Sequence, residues 1–198
     1  MKKITKSERT REYIIESTAG IFNTKGYSGT SLSDLTEATK LTKGSIYGNF
    51  ENKEEVALAA FDYNWKTVQD IVKGEMADKD SYIGKLMVYV STYESFFKYP
   101  FPQGGCPILN TATESDDTHP ALRKKAAEAL VLWKNSIIRL VECGIQAGEI
   151  KNDTDAEEVA LTIMAMIEGI IMITKATGNK NYWHKVTRSV EKFIIGIT

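Results

Sequence analysis

The run SLSDLTEATKLTKGSIYGNFENK, residues 31–53, constrains this chain more tightly than any other stretch. Its apolar residues are too sparse for one long amphipathic helix, and their spacing gives two short ones with a tight turn between. The first helix starts at Ser31 or Ser33, includes Glu37, and spaces Leu32, Leu35 and Ala38 three apart to face a core. Thr39-Lys40-Leu41 turns the chain, and Thr42 can cap a second helix. Most side chains of that second helix are short and polar: Lys43, Gly44, Ser45, Gly48 and Asn49. Only Ile46 and Phe50, four apart, anchor it. An ordinary helical hairpin would bury a thicker apolar face.

The flanking segments complete a recognisable plan. Between Thr10 and Lys25, the residues Ile14, Ile15, Thr18, Ala19 and Phe22 form one helical stripe. Gly26 follows where a helix end favours a left-handed residue, and Tyr27-Ser28-Gly29-Thr30 is a short link. Asn52 can cap a further helix with Glu54 and Glu55 in its first turn, where carboxylates suit the helix dipole. Three helices in about fifty residues, the third thin and rich in donors, match the helix-turn-helix plan, in which the third helix lies in the major groove of DNA.

On the stretch REYIIESTAGIFNTKGYSGTSLSDLTEATKLTKGSIYGNFENKEEVALAAF, residues 11–61, the chain resembles the tetracycline-repressor (TetR) family of bacterial transcriptional regulators. The resemblance implies an all-α fold: a three-helix DNA-binding domain at residues 1–53, linked through the helix starting at Asn52, and a larger effector-binding and dimerisation domain at 54–198. It also implies a homodimer that binds a double-stranded DNA operator and releases it when a small-molecule effector binds. Lys43, Ser45 and Asn49 then fall where the family places base-edge or phosphate contacts, Lys43 suiting guanine and Asn49 adenine or phosphate. Tyr47 resembles the family's phosphate-binding tyrosine and Lys53 its phosphate lysine. Thr42 and Gly44 would approach phosphates through hydroxyl and backbone N–H groups, and Thr30 and Ser31 occupy a further phosphate position. Many relatives carry an aromatic residue at Gly48 and histidine at Asn49, so this chain departs from the pattern where bases are read.

Charge agrees with a DNA-binding head. Residues 1–53 hold nine basic and six acidic side chains, whereas the whole chain carries a formal charge of −1, so the remainder is acidic. The basic run Lys2, Lys3, Lys6, Arg9 and Arg11 is open to two readings, an arm along the phosphates or minor groove and a solvated tail. At 42% hydrophobic and 26% charged over 198 residues, the composition suits one compact core with a small satellite domain. The charged amino end predicts no signal peptide. The apolar run Val159–Ile173, interrupted by Glu168, reads as too short for a membrane span. Cys106 and Cys143 form neither a metal pattern nor a disulfide scaffold, so the expected compartment is the cytoplasm.

Beyond Asn52 the periodicity predicts helix after helix: to about Met76, Ser81–Tyr99, Pro107–Ser115, from Pro120 to about Ala147, from Asp155 to about Thr177, and from Asn181 through Ile195. The last two carry more apolar surface than one face needs: Val159, Ile163, Met166, Ile167, Ile170, Ile171 and Ile173, then Tyr182, Trp183, Val186, Val190, Phe193 and Ile194. Two such helices from each of two chains would make a four-helix dimer interface. Trp65, Tyr89, Tyr93, Phe96, Phe97, Leu109, Trp133, Met164 and Glu168 are candidates to line an apolar effector pocket, with plain core as the competing reading. Glu168, a carboxylate on an apolar face, either orients a ligand or meets a lysine.

Gly104-Gly105-Cys106-Pro107 sets Cys106 at or beside a helix N-cap, where backbone N–H groups lower a thiol's pKa. GGCPILNTATE also resembles the reactive-cysteine region of electrophile-responsive family members, in which a lysine stands near the end of the penultimate helix as Lys175 does here. A packed cysteine is the alternative. Catalysis is not expected: His119 and His184 have no evident nucleophile or metal partner, no phosphate-binding glycine loop occurs, and no cofactor or metal is implied. A helical ligand carrier is the competing class, one in which Lys43 and Tyr47 would be dispensable.

Overall fold

A computed structural model describes residues 5–94 and 101–198, the side chains of Tyr93 and Glu94 excepted. Among these are nine α-helices and no strand. The elements are α1 (Lys6–Gly29), α2 (Leu32–Thr39), α3 (Lys43–Tyr47), α4 (Lys53–Ala77), α5 (Tyr82–Glu94), α6 (Pro107–Ser115), α7 (Pro120–Gln146), α8 (Ala156–Thr177) and α9 (Asn181–Gly196). They fall into two compact units. One holds the described residues up to Val68 together with Pro102–Ala127, and the other those of Gln69–Phe101 together with Glu128–Thr198.

In the first unit, α1 opens with a capping box. The Thr5 hydroxyl accepts the Glu8 N–H at 3.2 Å and the Glu8 carboxylate accepts the Thr5 N–H at 2.7 Å. The α1 stripe buries Ile14, Thr18, Ala19, Phe22 and Asn23. They meet Leu35 of α2, Ile46 of α3, Phe50, and Val56, Ala57 and Ala60 of α4 in one apolar core. Helical geometry in α1 is interrupted at Gly26, with φ 73°. A second capping box, Ser31 with Asp34, starts α2. That helix ends on Lys40 in the left-handed region, φ 55°, and the Tyr13 hydroxyl donates to the carbonyl of Thr39 at 3.0 Å.

The head unit also takes in α6, which the expected boundary at residue 53 left elsewhere. Packing α6 against α1 is a polar affair. The Asn23 amide donates to the carbonyls of Gln103 and Gly105, each at 2.8 Å, and the Asn110 amide donates to the Asn23 carbonyl at 3.0 Å. The Glu114 carboxylate accepts the N–H groups of Tyr27 and Ser28, each at 2.9 Å, just past the break at Gly26. These N–H groups open the short helical piece that follows the break, where backbone donors need partners from outside the helix, and the carboxylate satisfies them. His119 packs edge-on to Tyr27 at 4.4 Å between ring centroids, accepts the Leu122 N–H through Nδ1, and faces Glu54 through Nε2 at 3.2 Å.

In the second unit, α8 is capped by Asp155, whose carboxylate accepts the N–H groups of Glu157 and Glu158. Glu149 caps α5 by accepting the N–H groups of Tyr82 and Ile83. Of the apolar residues expected at a dimer interface, Val159, Ile163, Ile167, Ile170, Ile171, Trp183, Val190 and Ile194 are buried within the single chain. Two of the expected residues, Ile173 and Tyr182, stay open, and with Leu161, Met172 and Ile195 they form the exposed large apolar side chains of α8 and α9, each 40–58% exposed. Helix α8 has its expected range, but its 22 residues extend past the apolar run Val159–Ile173 that read as too short for a membrane span: it is the one helix among those described that is long and apolar enough to cross a membrane, and 44% of its apolar window is buried inside the protein.

Gly26 is where one methyl group decides the packing. Its φ of 73° is unfavourable for an L side chain, and an added Cβ would sit 2.4–2.6 Å from the Glu114 carboxylate. Gly26→Ala is therefore expected to destabilise the protein by about 1–3 kcal/mol. Gly74→Ala, on α4 with nothing within 4 Å, is expected to be neutral or up to about 1 kcal/mol more stable. Thermal denaturation followed by circular dichroism compares the two, and equal midpoints would contradict the assignment.

Candidate nucleic-acid interface

Helix α3 has only five residues, so its ends matter as much as its middle. Thr42 caps it by accepting the Ser45 N–H at 3.2 Å, and Ile46, with no exposed surface, and Phe50, at 3%, hold it to the core. The helix stops at Tyr47, so Gly48, Asn49 and Phe50, expected on it, follow its end instead. Its outer face shows Thr42, Lys43 and Gly44 exposed and Ser45 half-buried. A Cβ built on Gly44 finds a single neighbour, the Thr42 hydroxyl at 4.0 Å. Nothing inside the protein requires glycine there. The Tyr47 ring is half-buried against the core of the head.

The remaining expected contact residues divide. Ser31 is exposed at the start of α2, its hydroxyl engaged with Asp34. Thr30 is different: 1% exposed, it donates its hydroxyl to the Gly26 carbonyl at 2.6 Å and closes the end of α1, so it presents no side chain at the surface. Lys53 donates to the carbonyls of Tyr27 and Thr30 at 2.8 and 2.9 Å, with its ammonium 4.1 Å from the Tyr27 ring centroid. Two of its three N–H donors are thereby spent inside the head. Asn49 donates to the Ser45 carbonyl at 2.9 Å and accepts from the Ser7 hydroxyl at 3.0 Å. Both reach inward because carbonyls at helix ends lack intrahelical donors.

Arg11 overturns a sequence expectation outright. Placed in a basic arm by its neighbours, it turns inward: one guanidinium nitrogen donates to the Asn49 carbonyl, another pairs with Glu55 at 2.6 Å, and the group stacks 3.9 Å from the Phe50 ring centroid. The other Glu55 oxygen accepts the Glu51 N–H at 2.7 Å. That backbone bond, and then Arg11, hold the Glu55 carboxyl below its ordinary range. Elsewhere in the head, Lys25 pairs with Asp34 at 2.6 Å and ties α1 to α2. The Lys25 ammonium, followed by the N–H and hydroxyl of Ser31, holds the Asp34 carboxyl far below the usual aspartate range.

Comparison with known proteins fits this geometry. Residues 14–60 match the family model described as bacterial regulatory proteins, tetR family, and residues 83–190 match the tetracyclin repressor-like C-terminal domain. This chain belongs to the TetR family of transcriptional regulators. A TetR-family regulator from Cytophaga hutchinsonii has 53% sequence identity, with 99% of this chain and 98% of that one covered and a TM-score of 0.96. One from Chloroflexus aurantiacus has 38% identity, 96% coverage of each chain and a TM-score of 0.90. The regulator TtgR of Pseudomonas putida is 27% identical over 86% of this chain and 83% of its own length.

Within this TetR-family chain, the candidate effector residues are spread over both units. Trp65 and Leu109 belong to the head unit, and the Trp65 indole N–H is buried with no hydrogen-bond partner among the described residues. Tyr89, Trp133, Met164 and Glu168 belong to the other unit. There the Tyr89 hydroxyl meets Ser136 at 3.1 Å, its ring lies 6.3 Å from that of Trp133, and burial pushes its phenol pKa up. The side chain of Tyr93, with Phe96 and Phe97, lies outside the described residues. Cys106 does occupy the N-cap position of α6, but with no exposed surface, and Lys175 lies exposed in the last turn of α8.

The depressed Asp34 carboxyl gives a signed pH dependence. Its stabilising contribution is fully present above the ordinary aspartate value of 3.8 and is lost as pH falls below that toward the folded-state value. Asp34→Asn is therefore expected to melt below the wild type at pH 7, with the gap closing as pH drops below 3.8. Thermal scans from pH 7 to about pH 2 check this. A gap that stays constant would show that the Lys25 pairing contributes nothing.

Proposed function

We propose that this regulator is a dimeric repressor that reads its operator with the outer face of α3 and releases it when a small molecule binds. The exposed Thr42–Ser45 face, backed by the buried pair Ile46 and Phe50, carries this reading. A face of short polar groups on a firmly seated helix suits entry into the major groove. Lys43 reads guanine or contacts phosphate, Gly44 and Thr42 admit the DNA backbone closely, Ser45 contacts a base edge, and Tyr47 and Ser31 donate to phosphates. Thr30, Asn49 and Lys53 act from behind this surface, holding it in place.

Residues 1–53 supply DNA binding and 54–198 effector binding and dimerisation. The uncovered Leu161, Met172, Ile173, Tyr182 and Ile195 on α8 and α9 support a homodimer through those helices, which two heads on successive major grooves require. The effector occupies an apolar site within the second unit, drawing on Tyr89, Trp133, Met164 and Glu168. Small-molecule release is favoured over cysteine modification because a reactive thiol needs access, and Cys106 has none in this conformation. The protein acts in the cytoplasm, where its DNA is. An effector changes DNA affinity only by binding one arrangement of the heads better than another.

The test is fluorescence anisotropy on a duplex selected from a random library. Lys43→Ala is expected to weaken operator binding by about 1–3 kcal/mol, roughly 5- to 150-fold. Gly44→Ala is expected to leave folding intact, since its Cβ has room, and to weaken binding at least as much. Wild-type affinity in both variants would refute the assignment of α3 as reader.

A further inference from the structure

The link between α3 and α4, residues 48–52, joins the reading helix to the rest of the head, and one cationic side chain is bonded into it. We propose that Arg11, gripped by Glu55, is a positioning residue for operator reading and makes no phosphate contact of its own. The inference rests on the reading of α3 given above.

Three observations carry it. Arg11 donates to the Asn49 carbonyl, pairs with Glu55 at 2.6 Å and covers the Phe50 ring at 3.9 Å, so it touches the link and the anchor of α3 together. Glu55 in turn uses its second oxygen on the Glu51 N–H at 2.7 Å, so both carboxylate oxygens are occupied and the first turn of α4 is tied to the same link. Asn49 is fixed from the other side by Ser7 and Ser45. Residues 49–51 are therefore fastened to α1, α3 and α4 at once. Arginine suits this task because its planar fork donates in two fixed directions while its face stacks on an aromatic ring, which lysine cannot do.

Charge alone would suggest the opposite role. A cation beside a DNA-reading helix is the usual phosphate contact, and a carboxylate there repels phosphate. The two roles differ in sign for Glu55. If Arg11 and Glu55 position the link, Glu55→Gln weakens operator binding although it removes a negative charge. If they act only through charge, Glu55→Gln strengthens it.

The experiment measures affinity for the selected operator and for an unrelated duplex over a salt series, below the melting range of every variant. The variants are Arg11→Ala, Arg11→Lys and Glu55→Gln. Arg11→Ala and Glu55→Gln are expected to lose about tenfold or more in operator affinity. Both should keep the wild-type slope of log affinity against log salt and wild-type affinity for unrelated DNA, and Arg11→Lys should not rescue. Loss of affinity through general loosening would lower both affinities together, and that outcome would overturn positioning. So would a slope shallower by about one in Arg11→Ala, the mark of a lost phosphate contact, or tighter binding by Glu55→Gln. Should Arg11→Ala fail to fold, the near-isosteric Glu55→Gln decides alone. A selective wild type with unchanged variants overturns the clamp only, whereas a wild type with no preferred duplex overturns the reading of α3 as well.

Discussion

A helix of five residues closes barely more than one turn and cannot hold itself together in water, because nucleation fixes several dihedrals for a single hydrogen bond. That α3 exists at all depends on the burial of Ile46 and Phe50 in the core of the head. Each such burial contributes about 1.5–3 kcal/mol, and none of it comes from the helix's own backbone. The consequence reaches beyond stability. With the apolar residues turned inward at a spacing of four, Lys43, Gly44 and the Thr42 cap have only the outer face to occupy. The same two side chains that make the helix also aim it.

The head is also fastened from a distant part of the sequence. Helix α6 joins it through Asn23, Asn110 and Glu114, and each contact ends on backbone groups that α1 or the 103–105 turn would otherwise leave unpaired. From Glu114 the contacts run through Tyr27 to Lys53 at the start of α4, and from Glu55 on that helix to Arg11. Contiguity of this kind is not coupling; an effector must favour one of two arrangements of these groups before the contacts transmit anything. What the contacts do establish is that a shift of α6 cannot leave the Tyr27–Thr30 turn untouched, because Glu114 holds its N–H groups while Lys53 holds its carbonyls.

Much of the fold was legible in local chemistry. The caps at Ser31, Thr42, Asn52 and Asp155, the break at Gly26 and the start of α6 at Pro107 all follow from residue type and spacing, and the structure has them where the sequence placed them. The all-α architecture followed from periodicity. What stayed hidden was long-range. Nothing near Arg11 in sequence announces that its partners lie 38 and 44 residues away, and a basic neighbourhood left only DNA or solvent as its surroundings. Thr30 and Lys53 look like surface donors until the carbonyl ends of α1 and the 27–30 turn come into view. Asn23 offered the one missed signal: an amide on the buried stripe of α1, one position after Phe22, needs polar partners from another segment. The dimer stripe was legible only in part, since periodicity shows which residues are apolar but not that a single chain already covers Val159, Ile163 and Trp183 while leaving Ile173 and Tyr182 open.

The central claim is that the reading helix is already formed and held before DNA arrives. Amide hydrogen exchange on the free protein tests it most directly, using the N–H groups of Ile46, Gly48 and Phe50, which bond to Thr42, Gly44 and Ile46 at 3.1, 2.9 and 3.2 Å. The account predicts protection of these amides within about tenfold of the buried α1 amides at Ile14 and Thr18, because α3 opens only when the head core opens. Exchange near the rate of an unstructured peptide, with α1 still protected, would mean that α3 forms on the DNA and that its anchors do not hold it beforehand.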